Sequence, residues 1–317
     1  MFEVIGWDEI SRVLPTLDLV GAIEEGFVAY SQGNAHVAPV SELRIPHGEL
    51  HIKSGYISGD SSFVVKAACG FYGNPAKGLP SSNGLMLLFD SETGVPTCLL
   101  LDEGRLTDIR TAVAGVIAAK FLAPDPIFAI GIIGTGTQAR LQAQYLLKAK
   151  RANRLFVYGR NAHAVAVYQR DMSREAVEVI ACNTPAAVAA NANLLVTTTP
   201  SRSPLLNFDD IAPGTHITAV GADSPVKNEL DPAILHKANR IVVDSLQQCS
   251  AHGELKHALA VGSIPPERIV ELGDVIAARK QGRISGTDIT VADLTGVAVQ
   301  DIEIARAVFA AVKAMRT

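Results

Sequence analysis

Apolar positions fall into three regimes along the chain. In residues 8–31, Ile10, Val13, Leu14, Leu17, Val20, Ile23, Phe27 and Tyr30 recur at helical spacing, interrupted at Pro15 and ending at Gly33. This predicts one or two amphipathic helices. Over residues 41–101 the pattern changes to short apolar runs at 50–52, 63–67, 85–89 and 97–101, separated by Gly, Pro, Asn and Ser. Such runs predict a sheet built of hairpins. Residues 107–122 return to a helical, Ala-rich pattern that Ala123-Pro-Asp-Pro126 breaks, so a domain boundary is expected there.

Beyond the break, strand-like runs at 128–133, 155–158, 177–180, 194–199, 216–220 and 241–244 alternate with helix-competent stretches, among them 138–150 and 162–173. Strands alternating with helices of this length imply βαβ units and a parallel sheet. Residues 299–315 form a closing amphipathic helix with Val299, Ile302, Ala305, Val308, Phe309 and Val312 on its apolar stripe. A chain of 317 residues also exceeds what one core usually holds.

Composition narrows the partners. The chain is 48% hydrophobic and 19% charged with a formal charge of −4 and scattered basic residues, so it has no footprint for nucleic acid or an anionic membrane. Small molecules are the expected partners. Cys69, Cys98, Cys182 and Cys249 lie far apart, without a CxxC, as reduced thiols would. There is neither a basic and apolar leader nor an uninterrupted apolar run of about 18 residues. A soluble, cytoplasmic protein is expected.

The most informative motif is Gly134-Thr-Gly136-Thr137-Gln138-Ala139, entered from a strand run and leading into a helical stretch. In such a turn the first glycine permits the bend, the second lets the backbone approach a pyrophosphate, and the third small residue lets helix and strand pack closely. The helix N-terminus then faces the phosphates. An NAD site usually adds a carboxylate after the second strand, but here Tyr158 is followed by Gly159, Arg160 and Asn161. Arg160 suits a 2′-phosphate, which favours NADP(H) with NAD(H) as the alternative.

A second group of residues lies mostly outside that motif. Arg44 sits in a short apolar stretch, Lys66 interrupts the run 63–67, and Arg110 opens an Ala-rich helix. A lysine in a buried strand must be salt-bridged or hold an anion. Asp223 follows the strand run 216–220, at the edge where ligands bind in doubly wound sheets. Its alternative is a turn-forming Asp before Ser-Pro. Cys249, His252, Glu254 and His257 match no standard ligand spacing, so no metal is expected and this stretch reads as solvated loop and helix surface.

In chain order, Lys66-Ala-Ala-Cys-Gly-Phe-Tyr-Gly-Asn74-Pro75, Gly78-Leu-Pro80, Leu88-Phe-Asp90, Thr93-Gly94, Leu106-Thr-Asp-Ile-Arg110-Thr111-Ala112, Gly134-Thr-Gly-Thr-Gln-Ala-Arg140, Gly221-Ala-Asp223-Ser-Pro225, Glu229-Leu230, Val243-Asp-Ser245 and Leu294-Thr-Gly-Val-Ala-Val-Gln300-Asp301 resemble the ornithine cyclodeaminase/mu-crystallin family. The resemblance implies an α/β fold: a Rossmann-type doubly wound domain, residues 123–294, inserted into an α+β substrate and dimerisation domain, residues 1–122 with 295–317. It implies a homodimer. It further implies that Arg44, Lys66 and Arg110 hold a substrate carboxylate, that Asp223 and Lys66 serve as acid or base, and that Thr111, Thr198, Val220 and Lys227 join the glycine turn, Arg160 and Asn161 around the cofactor.

Members of that family include ketimine reductases, cyclodeaminases turning ornithine into proline and ammonia, and alanine or arginine dehydrogenases, all sharing hydride transfer at the α-carbon. Others are mu-crystallin-like NADP-dependent binding proteins. Cyclodeaminase-like members carry a Glu where this chain aligns His51, with Lys53 close by. Together with Arg160, that departure favours a reductase of a cyclic imino acid such as pyrroline-2-carboxylate.

Overall fold

The computed structural model describes residues 2–149 and 152–316. The chain divides into two units, Met1–Arg110 with Val297–Thr317, and Thr111–Gly296. The second is one continuous stretch between the two segments of the first. The division falls within the helix Arg105–Leu122, ahead of the break at 123–126.

In the first unit, β1 (Glu3–Gly6) precedes α1 (Trp7–Val13) and α2 (Leu19–Ser31), which Asp18 caps by accepting from the Gly21 amide at 2.9 Å. Six further strands follow: β2 (Ala35–Val37), β3 (Ser41–Ile45), β4 (Gly48–Ile57), β5 (Ser62–Gly70), β6 (Ser82–Asp90) and β7 (Pro96–Leu101). α3 (Arg105–Leu122) comes next. The sheet order is β1-β7-β6-β5-β4-β2, with β3 also pairing β4, and all pairs but β1 with β7 are antiparallel.

Because strand side chains alternate, Val64, Lys66, Met86, Leu88, Cys98 and Leu100 share one face and are buried. The C-terminal helix Ala298–Arg316 packs on α2 and across β4, β5 and β6. The opposite face is apolar as well: Val65 stands beside Leu87 and Leu87 beside Leu99, with Ile52 and Leu43 exposed nearby.

The second unit is a doubly wound α/β sheet, with β8 (Ile130–Ile133), α4 (Thr137–Ala149), β9 (Arg154–Tyr158), α5 (Ala162–Met172), β10 (Glu178–Ala181), β11 (Leu194–Thr197), β12 (Arg202–Leu206), β13 (His216–Ala219), β14 (Asn228–Leu230), β15 (Arg240–Val243), β16 (Ile269–Glu271) and β17 (Thr290–Asp293). Its eight parallel strands run β10-β9-β8-β11-β13-β17-β15-β16, while β12 pairs β14 apart from them. The order reverses beside β8, which sets the switch point between β8 and β11. Strands covered on both faces read as continuous apolar runs, and Ile133, Leu195, Ile217 and Ile241 form the core.

Among the described residues of this second unit, four strands lie outside the runs that periodicity marks. β17 is central, but Thr-Val-Ala-Asp has too few bulky side chains to stand out. β12, β14 and β16 are short or interrupted by polar residues. The expected helix 138–150 begins one residue earlier, and Lys150 lies outside the described residues.

Candidate active site

The first unit gathers Lys66, Arg110, Gln300 and Asp301. Lys66 is carried inward by β5, and Arg110 by the second turn of α3, whose start is fixed by Asp102 Oδ2 accepting from the Leu106 amide at 2.9 Å. Asp301 lies on the C-terminal helix, one turn before Ala305 on its buried stripe. Lys66 Nζ stands 3.1 Å from Asp301 Oδ2, and Arg110 Nε donates to Oδ1 at 2.9 Å. Arg110 Nη1 also donates to Gln300 Oε1 at 2.9 Å.

All four side chains are buried. Burial, with the Arg110 charge adding to it and Asp301 opposing, lowers Lys66 to about 7. Burial pushes Asp301 the other way, but Arg110 and Lys66 outweigh it and hold the carboxylate below its ordinary range. Two cations around one carboxylate leave a positive charge in excess. An incoming carboxylate of a small ligand would balance it and stabilise the protonated Lys66.

Arg44 is not part of this cluster. Its side chain is 62% exposed and pairs with Glu42 at 2.5 Å. Along the same sheet, His51 Nε2 lies 3.5 Å from Glu49 Oε1, and Glu42, Glu49 and His51 each bring a ligand-type atom within 4.8 Å of the others. Two glutamates thus stand beside His51. Lys53 stands directly across from Lys66 and depresses its pKa further.

The second unit carries the glycine turn. Gly134 follows β8 with φ +127°, and a side chain there would meet Thr198 Oγ1 at 2.3 Å, so only glycine fits. Its amide donates to the Tyr158 carbonyl at 2.9 Å. At Gly136, by contrast, a Cβ would meet nothing within 4 Å. The backbone is open there, immediately before Thr137 and Gln138 begin the 13-residue α4, so the residues fit an approaching pyrophosphate. Ala139 is buried, and its carbonyl accepts from Tyr168 at 3.1 Å.

The remaining expected cofactor residues also lie in this unit. Thr198 binds the Ile133 carbonyl through its amide at 2.9 Å and its hydroxyl at 3.2 Å, and Val220 directly follows β13. Thr111 is half-buried, and its carbonyl accepts from Gln142 at 3.0 Å. Arg160 is exposed just past β9. Asn161 spends its side-chain carbonyl on capping α5 through the Ala164 amide at 3.0 Å. Asp223, its side chain 47% exposed, lies beyond β13 and pairs with Lys227 Nζ at 2.6 Å, so Lys227 faces the candidate acid.

One expectation does not hold. The stretch around Cys249 and Glu254 is not a solvated surface: both are buried, and Glu254 accepts from the Glu229 amide (2.7 Å), the Leu230 amide (3.1 Å) and Asn228 Nδ2 (2.7 Å). Gln300 and Asp301 carry more of the site than their place in the closing helix suggested. The available signal was a charged residue one turn before Ala305, in line with the apolar stripe of an amphipathic helix.

The ornithine cyclodeaminase/mu-crystallin family model matches residues 6–316. An uncharacterized cyclodeaminase, y4tK, of Sinorhizobium fredii is 40% identical over 313 residues, spanning 97% of this chain and 95% of that protein. An archaeal alanine dehydrogenase dimer with bound NAD superposes with a TM-score of 0.91 at 33% identity, over 100% of this chain and 97% of that one. The Δ1-pyrroline-2-carboxylate reductase of Thermococcus litoralis, in complex with NADH and L-proline, gives 0.92 at 25% identity, over 100% and 99%. With the buried Lys66–Asp301–Arg110 cluster in one unit and the glycine turn of a doubly wound sheet in the other, the chain belongs to the ornithine cyclodeaminase/mu-crystallin family.

Proposed function

We propose that this chain, an oxidoreductase acting on a carbon–nitrogen bond with a nicotinamide cofactor, reduces a small cyclic 2-imino acid of the pyrroline-2-carboxylate kind. The observation that carries this reading is the excess positive charge of Lys66 and Arg110 around Asp301, built for one carboxylate. A cyclic imino acid presents one carboxylate next to its C=N bond. The Thermococcus reductase, in complex with NADH and L-proline, supports that choice.

Bound NAD(P)H supplies the hydride for the imine carbon. Lys66 and Arg110 orient the substrate carboxylate and so fix the adjacent carbon. As the C=N electron pair collapses onto nitrogen, Asp223 delivers a proton to it, and Lys66, lowered to about 7, is a second proton source. NADP(H) is the preferred cofactor in this reading, since Arg160 is exposed past β9 and no described residue pairs with it, while NAD(H) serves as well.

The chain acts as a homodimer joined through the apolar sheet face that bears Val65, Leu87 and Leu99, because an open sheet apolar on both faces needs a cover. The archaeal alanine dehydrogenase is a dimer, which supports the dimeric state though not the choice of face. Among the described residues no helix is long and apolar enough to cross a membrane. The four cysteines are free thiols, as suits the cytoplasm.

A second reading, ornithine cyclodeaminase, is favoured by Glu42 and Glu49 around His51, which suit the distal ammonium of a diamino acid. Purified protein supplied with NADPH and pyrroline-2-carboxylate, or with ornithine and NAD, separates the two. Imine-dependent NADPH oxidation supports the reductase; ammonia release from ornithine without it supports the cyclodeaminase.

A further inference from the structure

Glu229 has no part in the chemistry above, yet it is fully buried in β14 of the second unit. Its Oε1 accepts from the Thr199 amide at 2.6 Å and from the Thr199 hydroxyl at 2.7 Å, while its Oε2 accepts from the Gly221 amide at 2.9 Å. Thr199 and Gly221 each lie two residues past the ends of β11 and β13, neighbouring parallel strands in which Thr197 stands beside Ala219. One carboxyl group therefore ties together two strand ends where their chains diverge.

The tie extends in both directions. Thr198, next to Thr199, is bonded to Ile133 at the end of β8, and its hydroxyl fills the space a side chain on Gly134 would need. Asp223 lies two residues past Gly221. A Cβ on Gly221 would come within 2.3 Å of the Thr199 carbonyl and 2.4 Å of Glu229 Oε2, so the two ends approach as closely as backbone allows. Behind them Glu254, on the helix Gly253–Val261, holds the backbone of β14 through the Glu229 and Leu230 amides. The ends of β8, β11 and β13 are thus braced into one rim, and in a doubly wound sheet that rim receives the dinucleotide.

We propose that Glu229 is a positioning residue for cofactor and acid: it holds the Thr198–Thr199 segment against the glycine turn and sets the start of the loop that carries Asp223. This rests on the reading of the second unit as a dinucleotide site. Removing both oxygens leaves three donors without their acceptor, and the strand ends separate.

Calorimetric titration of the substrate-free protein with NADPH tests this. Glu229→Leu is expected to raise the Kd for NADPH about tenfold with the binding stoichiometry kept, and to lower kcat while the KM for the imino acid holds. A lower stoichiometry with unchanged Kd means a merely structural role and overturns the inference, as does an unchanged Kd with unchanged kcat. Should Glu229→Leu fail to fold, Thr199→Val, which removes one donor, is expected to weaken NADPH binding by about threefold, and an unchanged Kd there overturns it. If the unsubstituted protein binds no dinucleotide, the underlying reading fails and the inference goes with it; if it binds and the variants bind equally, only the inference fails.

Discussion

Lys66 and Asp301 are 235 residues apart in sequence, yet Nζ and Oδ2 stand 3.1 Å apart with both side chains buried. Asp301 is the only acid that Lys66 and Arg110 both contact among the described ion pairs. Asp301→Asn leaves two buried cations without their counter-charge, so it is expected to destabilise the protein by about 3–5 kcal/mol. Urea unfolding measures this, and a loss under 1 kcal/mol would show that the cations are balanced elsewhere.

The lowered Lys66 gives activity a pH dependence of defined sign. Its ammonium holds a carboxylate only when protonated, and burial lowers it to about 7. Hence kcat/KM for the imino acid is expected to fall as pH rises through about 7, and Lys66→Met should remove that limb along with most of the activity. A profile flat from pH 6 to 9 in the unsubstituted protein, after correction for the substrate's own titration, would contradict the role of Lys66.

Asp223 is assigned the proton for the nitrogen. Asp223→Asn keeps the size of the side chain and its place beside Lys227, so NADPH binding should survive while kcat drops by about 10²- to 10⁴-fold. Stopped-flow rates of NADPH oxidation check this, and a variant within threefold of normal would remove Asp223 from the chemistry.

Stability has its own pH dependence. Burial is the largest cause raising Glu229 and Glu254 to about 8 and Asp293 and Glu303 to about 7, from ordinary values of 4.5 or 3.8. The folded state therefore holds protons that the unfolded chain has released, and stability is lost as pH rises through these values. His216, lowered to about 3 by burial, works in the opposite sense below 6.5, and Lys66, lowered to about 7, does so above about 7, two groups against four. The melting temperature is thus expected to fall between about pH 5 and about pH 7; scanning calorimetry showing a rise would contradict the proton-holding carboxyls.

The open apolar sheet face makes a prediction about assembly. Val65→Glu with Leu87→Glu places two charges in its middle, and sedimentation should show a dimer become a monomer. A dimer that persists would locate the interface elsewhere.

Much of this was legible in the residues because local physics decided it. Short apolar runs at 63–67 and 85–89, set off by turn residues, marked the hairpin sheet, and the glycine turn marked the start of the doubly wound one. Lys66 announced itself by interrupting an apolar run. Its partner did not, because Asp301 becomes a neighbour only when the chain's last helix returns to the first sheet, a contact that no local period encodes. Central β17 was silent because Thr290 and Ala292 are small or polar residues buried by neighbouring strands rather than by their own hydrophobicity. Arg44 looked like Lys66 in its apolar setting, but β3 pairs only with β4 and leaves it exposed.

A chain that, as proposed, holds a cyclic imino acid by its carboxylate between Lys66 and Arg110 for hydride transfer must reduce it. Initial rates of NADPH oxidation with pyrroline-2-carboxylate, run beside NADH and beside ornithine with NAD, test it most directly. The expected result is saturable, imine-dependent oxidation, faster with NADPH, together with the appearance of proline. Ammonia and proline formed from ornithine, with no oxidation of either cofactor by the imine, would contradict it.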